Sequence, residues 1–198
     1  MIGSIGSRLR LVLRQPNLSA RATAATGDSS GLPEVDFVAY SVGERLSGRI
    51  RLDSARLTDM LNAHHEFVLI DALAERLPDG GSMVVSEILV GRHELAIVRV
   101  DGPRGDRALR IPTKRHRLVM RSGRYVVAGT LHSRIGEDPL AALRRRAPMV
   151  PLTDAVILFR VGQNIVEEPA GTIVVNRDLV EWVRQGELDA RSLDLPAG

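Results

Sequence analysis

Few residues in this chain invite chemistry. His64-His65-Glu66 sets two imidazoles beside a carboxylate, the groups from which metal sites and acid–base pairs are built. Adjacent residues on a strand or helix point apart, and no HExxH spacing surrounds these three, so surface histidines without a metal are expected. His93, His116 and His132 are scattered and carry the same expectation. Asp71 and Asp154 occupy equivalent places in two matching stretches, an arrangement that would suit a paired acid–base site. An Asp ending an apolar strand run also accepts backbone N–H groups at a turn, and duplication would copy that structural role to both stretches, which is the reading favoured. Gly102-Pro103-Arg104-Gly105 has neither the GxxxxGK[ST] nor the GxGxxG form, so nucleotide binding is not supported. The absence of cysteine removes disulfides, thiol nucleophiles and thiolate metal ligands together. No catalytic, metal or cofactor-binding residue is therefore assigned, and a non-enzymatic protein is expected.

The remaining chemistry is cationic. Net charge is +3, and Lys114 is the only lysine, so nearly all positive charge is arginine. Such a skew accompanies GC-rich coding as readily as anion binding, although arginine does offer a planar fork to phosphate and carboxylate. Between 104 and 124 the chain carries Arg104, Arg107, Arg110, Lys114, Arg115, Arg117, Arg121 and Arg124 against Asp106 alone. Of these Arg104, Arg107, Arg110, Lys114, Arg115 and Arg117, together with Arg144, Arg145 and Arg146 and with Arg49 and Arg51 on a strand face, are the candidate anion or nucleic-acid contacts. Aromatic residues make up only 3% of the chain, too few for a base-stacking platform. At the start, 1–27 has no acidic residue. Arg8, Leu9, Arg10, Leu11, Leu13 and Arg14 form a short basic amphipathic segment able to touch a partner or lie peripherally on a membrane.

The elements that must position these groups come in two matching sets. Phe37-Val38, Ser41, Leu46, Gly48 and Ile50 align with Leu118-Val119, Ser122, Val127, Gly129 and Leu131 at one offset. After slips at expected loops, Met60-Leu61 falls on Ala142-Leu143, and Asp71-Ala72 on Asp154-Ala155. Finally Val90, Glu94-Leu95 and Val98 fall on Val174, Asp178-Leu179 and Trp182. In the first set the patterns predict strands at Val35–Ser41, Arg45–Leu52, Phe67–Leu73, Met83–Val90 and His93–Val100. A short helix is predicted at Arg56–Asn62, capped by Asp53 or Ser54, with Leu57, Met60 and Leu61 on one stripe. Alternation along Arg45–Leu52 puts Arg45, Arg49 and Arg51 on one face. The second set predicts strands at Arg117–Met120, Tyr125–His132, Leu152–Val161, Gly171–Val175 and Asp178–Arg184. Its helix is expected at Pro139–Arg146 with Pro139 at the first position.

The expected fold is mainly β: two tandem small barrel-like domains of about five strands and one short helix each. Its parts are a basic flexible tail and linker at 1–34, a first repeat at 35–100, a basic connector at 101–116, a second repeat at 117–184 and a tail at 185–198. No apolar run is long enough for a membrane span, and no secretory signal is recognised, so a cytoplasmic chain is expected.

Arg-Leu-Thr-Asp-Met-Leu-Asn (Arg56–Asn62), Phe67-Val68-Leu69-Ile70-Asp71-Ala72 and Pro151-Leu152-Thr153-Asp154-Ala155 resemble the motifs of a family of small bacterial β domains of unknown function. The family pattern has an R-L-[ST]-D-x-L-N turn and an F-L-x-L-T-D-A strand; Asp138–Leu143 departs from the first of these. The resemblance implies no activity. Strand count and size also resemble Sm-like and SH3-like barrels, which licenses no function. The expected role is a binding or assembly module that engages a protein partner, or itself, through a strand edge or the basic tail. The alternatives are sequence-tolerant nucleic-acid binding through the connector and, last, an enzyme using Asp71 and Asp154.

Overall fold

A computed structural model describes residues 33–77, 79–100 and 112–188. The candidate tail residues Arg8, Leu9, Arg10, Leu11, Leu13 and Arg14, and the candidate connector residues Arg104, Arg107 and Arg110, lie outside the described residues. The first half runs β1 (Glu34–Tyr40), β2 (Glu44–Arg51), α1 (Leu57–Ala63), β3 (Glu66–Arg76), β4 (Ser82–Gly91), a 3-10 turn (Arg92–Glu94) and β5 (Ile97–Arg99). The second repeats that order: β6 (Lys114–Ser122), β7 (Tyr125–Ser133), α2 (Pro139–Arg145), β8 (Met149–Val161), β9 (Asn164–Asn176), a 3-10 turn (Arg177–Leu179) and β10 (Trp182–Gln185).

All ten strands belong to one antiparallel sheet, ordered β10-β6-β7-β8-β9-β5-β1-β2-β3-β4. The chain is mainly β with two short helices, and where two tandem barrel-like domains are expected the ten strands form one continuous sheet. Each half contributes its strands in the same sequence, and the halves join where β5 pairs β9. Three apolar clusters lie along it, and the two large ones cross the join, while a small one of Val119, Val126, Ala128 and Leu158 stays within the second half. The largest takes Tyr40, Ala96 and Ile97 from the first half; the next takes Met149 and Val174 from the second.

Local chemistry accounts for the elements. In β2, Leu46 and Ile50 are buried while Arg49 and Arg51 stay exposed, as period-2 alternation requires. Asp138 caps α2 by accepting from the Ala141 N–H at 2.7 Å, with Pro139 next to it. The capping expected of Asp53 or Ser54 is not made. Arg56 occupies the N-cap position without a side-chain bond, and Ser54 Oγ donates to the Arg56 carbonyl instead. Gly123 (φ 57°) and Gly162 (φ 58°) turn the β6–β7 and β8–β9 hairpins in a left-handed conformation that favours glycine.

Two further expectations need correction. The strand predicted at His93–Val100 begins as the 3-10 turn, because the Leu95 N–H bonds back to the Arg92 carbonyl; Val180 and Arg177 do the same in the second half. The last slip of the internal alignment is also one residue out. Val90 faces Phe67 as Val175 faces Val150, and Val98 faces Ala39 as Val183 faces Met120. Val90 therefore matches Val175 rather than Val174, and Val98 matches Val183 rather than Trp182. One residue exchanges the two faces of a strand, so the correction decides which side chains correspond.

Asp71 and Asp154 mark the same bulge in each half. Both have φ 50°, the only non-glycine residues with positive φ among those described. Opposite them the ladder shifts register between Ser47 and Arg49 in one half and between Ala128 and Thr130 in the other. Gly48 and Gly129 sit in these shifts. A Cβ on Gly48 would come within 2.9 Å of the Ile70 carbonyl oxygen, so the close strand approach requires glycine there.

Candidate functional site

The most developed polar construction joins the two halves. Beyond the β5–β9 register (Ile97 to Val175, Val98 to Val174, Arg99 to Ile173), the Asn176 N–H donates to the Ala96 carbonyl and the Val100 N–H to the Thr172 carbonyl. Asn62 on α1 clasps the first residue of β8: its Nδ2 donates to the Met149 carbonyl at 2.9 Å and its Oδ1 accepts from the Met149 N–H at 3.0 Å. Tyr40, Tyr125 and Phe159 pack edge-on or tilted, with ring centroids 5.6–5.9 Å apart. The Tyr40 hydroxyl donates to Glu168 at 2.6 Å, Arg99 donates to the same carboxylate at 2.7 Å, and the Tyr125 hydroxyl donates to the Ser41 carbonyl at 2.6 Å. Burial, and then the bond to Glu168, push the Tyr40 phenol up to about 12; burial raises that of Tyr125 as well. Both phenols are held neutral as donors across the join.

The sheet ends in two open edges, β4 and β10. The β4 edge is apolar for much of its length: Val84 is 77% exposed, and Met83 and neighbouring Val68 on β3 are exposed too. On β10, Trp182 and Val183 are half-buried, whereas their counterparts Ile97 and Val98, covered by β9, are fully buried. Unpaired backbone along an apolar strand is a template for another strand. Beside β4 lies a shallow cleft of about 390 Å³ whose lining includes Arg51, Asp53, His64, Glu66 and Glu87. His64 pairs with Asp53 and Arg51 with Glu34, while Glu66 and Glu87 have no ion pair among the described residues.

The candidate arginines are distributed over several elements and many already face carboxylates. Arg49 bonds Glu34 and Asp71, and the Asp71 bond raises its pKa. Lys114, Arg115 and Arg117 lie on β6; Arg115 pairs with Asp154, and Arg117 with Glu187 and the Asp154 carbonyl. On α2, Arg145 pairs with Glu137 and holds that carboxyl below its usual range. Half-buried Arg146 donates to the His132 carbonyl, and burial lowers its pKa. Arg144 is exposed and makes no ion pair with the described residues.

Asp71 and Asp154 are bound by different arginines, and neither carboxylate accepts a backbone N–H from the described residues; their matched role is the left-handed bulge. No cluster of metal-ligating side chains occurs among the described residues. His132 bonds Thr153 Oγ1 at 2.8 Å, and burial with Arg115 nearby lowers its pKa. No helix among the described residues is long and apolar enough to cross a membrane.

The contacts of Asn62, Arg99 and Glu168 have no signature in the sequence. Asn62 reads as the last letter of a helical motif, and Glu168 as part of a Glu-Glu-Pro loop. The open β4 edge is legible only as an apolar Met83-Val84-Val85 run.

Compared with protein-family models, with curated proteins and with solved structures, the chain matches none.

Proposed function

We propose that this chain is a non-enzymatic assembly module, built of two small barrel-like units, that engages a protein partner along its exposed strand edges. One observation carries the reading: the chain joins its own halves by laying β5 of one half on β9 of the other, and leaves open the two strands that correspond to that pair. Main-chain bonding supplies affinity in such pairings, and side chains on either side of the ladder supply selectivity. The exposed Val84 and the half-buried Trp182 and Val183 support it, since strand addition would cover such apolar surface.

The test uses proline at the edge. The Arg92 N–H turns inward to the His65 carbonyl, so by alternation the N–H groups of Glu87, Leu89 and Gly91 point away from β3. Leu89→Pro therefore removes an outward donor and leaves the β3–β4 ladder its bonds. In extracts of cells that make the protein, the wild-type chain is expected in a complex larger than one chain, retained by Arg115→Ala and lost with Leu89→Pro. A single-chain mass for the wild type, or a complex indifferent to Leu89→Pro, overturns the reading. A complex dissolved by nuclease and by Arg115→Ala would assign the surface to nucleic acid instead.

A further inference from the structure

We propose that the strand partner is a second copy of this chain, joined head to tail, with β10 of one copy pairing β4 of the next. The inference rests on the strand-edge reading above and adds to it the identity of the partner and the register.

The internal join defines the geometry. β5 matches β10, and β9 matches β4, so the two open edges are the two sides of a contact the chain already makes once. Carrying the matched residues across gives the register. Ile97 on Val175 becomes Trp182 on Val90, Val98 on Val174 becomes Val183 on Leu89, and Arg99 on Ile173 becomes Arg184 on Ile88. The flanking bonds carry over too. Asn176 N–H to Ala96 carbonyl becomes Gly91 to Glu181, and Val100 N–H to Thr172 carbonyl becomes Gln185 to Glu87.

A second contact supports the same placement. Arg92 donates to the Asn62 carbonyl as Arg177 donates to the Arg144 carbonyl, so Asn62 and Arg144 are equivalent; Met149, which Asn62 clasps, is equivalent to Glu66. The operation that repeats the internal join thus brings exposed Arg144 of one copy to Glu66 of the next, at the cleft where Glu66 and Glu87 stand without ion pairs among the described residues. Two side chains of opposite sign, without ion pairs among the described residues, meet where the chain's own join has an amide on a backbone group. The aromatic clamp is not repeated. Tyr40, Tyr125 and Phe159 correspond to Arg121, Glu44 and Arg76, so the join between copies is the weaker of the two. Because the two edges differ, the contact is heterologous. It does not stop at two copies but continues until the assembly closes or runs on.

The chain has no cysteine, which allows a clean test. Full-length Leu89→Cys and Val183→Cys variants are oxidised separately and as an equal mixture. Directly opposed strand residues lie about 4.5–5.5 Å apart, within the span a disulfide bridges. The mixture is expected to form a disulfide between chains, from the thiol introduced in Leu89→Cys to that introduced in Val183→Cys, with neither variant linking to itself. Light scattering of the unmodified chain is expected to show masses beyond two copies as concentration rises. Arg144→Glu should lower the assembled fraction severalfold at a given concentration, and adding Glu66→Arg should restore it. A single-chain mass at all concentrations overturns self-pairing while leaving the edge reading to the extract experiment. Self-linking of Leu89→Cys, or failure of the charge exchange to restore assembly, overturns the head-to-tail register.

Discussion

Replacing Asn62 by alanine tests whether the two halves are held as one body. Asn62 makes two bonds to the buried Met149 backbone and one to the Thr58 carbonyl at 3.1 Å. The Thr58 bond is replaceable by water. The Met149 N–H and carbonyl are not so easily rescued, and each buried group left without a partner costs about 1–3 kcal/mol. Asn62 is itself partly exposed, which admits some water, so the lower part of the summed range applies: about 2–3 kcal/mol for Asn62→Ala. For a chain of this size that is a fall of roughly 4–12 °C in Tm. Urea unfolding followed by far-UV circular dichroism gives the free energy, and the transition should stay single because both large cores draw residues from both halves. Asn62→Asp keeps the acceptor for the Met149 N–H but sets a carboxylate against its carbonyl, and should do no better than alanine. Arg144→Ala, at the equivalent exposed place, should change single-chain stability by less than about 0.5 kcal/mol. A loss below about 0.5 kcal/mol in Asn62→Ala, or two separated transitions in the wild type, would refute the picture of a clasped join.

Further outcomes are expected elsewhere in the chain. The two tyrosines are both buried donors, and with folded pKa values above the unfolded value near 10, their stabilising effect is complete below that pH and is lost as pH rises toward about 12. Phenolate absorbance should lag behind that of the unfolded chain and appear together with the loss of circular dichroism; half-ionisation near pH 10 in a still-folded chain would contradict it. Gly48→Ala should cost about 1–3 kcal/mol, because its Cβ would meet backbone atoms of Ile70 and Ala72, and unfolding midpoints unchanged from the wild type would remove the close-approach argument. Asp71→Gly should be near neutral, relief of the left-handed backbone offsetting the exposed Arg49 pair, while Asp71→Val should lose about 1–2 kcal/mol; equal midpoints for the two variants would remove the bulge argument. Binding to generic single-stranded RNA across a salt series should be weak and vanish near physiological ionic strength. A steep log–log slope with affinity retained there would restore the connector arginines as the site.

Much of the fold can be read from side-chain pattern, since burial on one face writes itself into a strand as alternation. β2 shows it: Leu46 and Ile50 inward, Arg49 and Arg51 outward. What alternation cannot encode is the neighbour. Nothing in Ile97-Val98-Arg99 says that it lies between β1 and a strand of the other half, because any apolar edge would bury it equally well. For a related reason no pattern marks 167–170 as strand. Glu167, Glu168 and Pro169 are loop-like in composition, yet they extend β9 because β8 is long enough to pair them. The basic face is legible as arginines, but not as arginines already matched by Glu34 and Asp71, since Asp71 reaches Arg49 through a bulge and Glu34 comes from the adjacent strand. A strand edge is foreseeable as a kind of surface; which strands form it follows only from the order of the sheet.

The β5–β9 join has one more consequence, for how the protein responds to its own abundance. Both of its strands belong to one polypeptide, so the tether fixes their effective concentration and dilution cannot open the join. Any pairing at β4 or β10 is bimolecular and follows the amount of protein present. If copies pair as proposed, one sheet would carry a dose-independent contact at its centre and dose-dependent ones at its rims, and a change in expression level would alter the length of the assembly without loosening its unit.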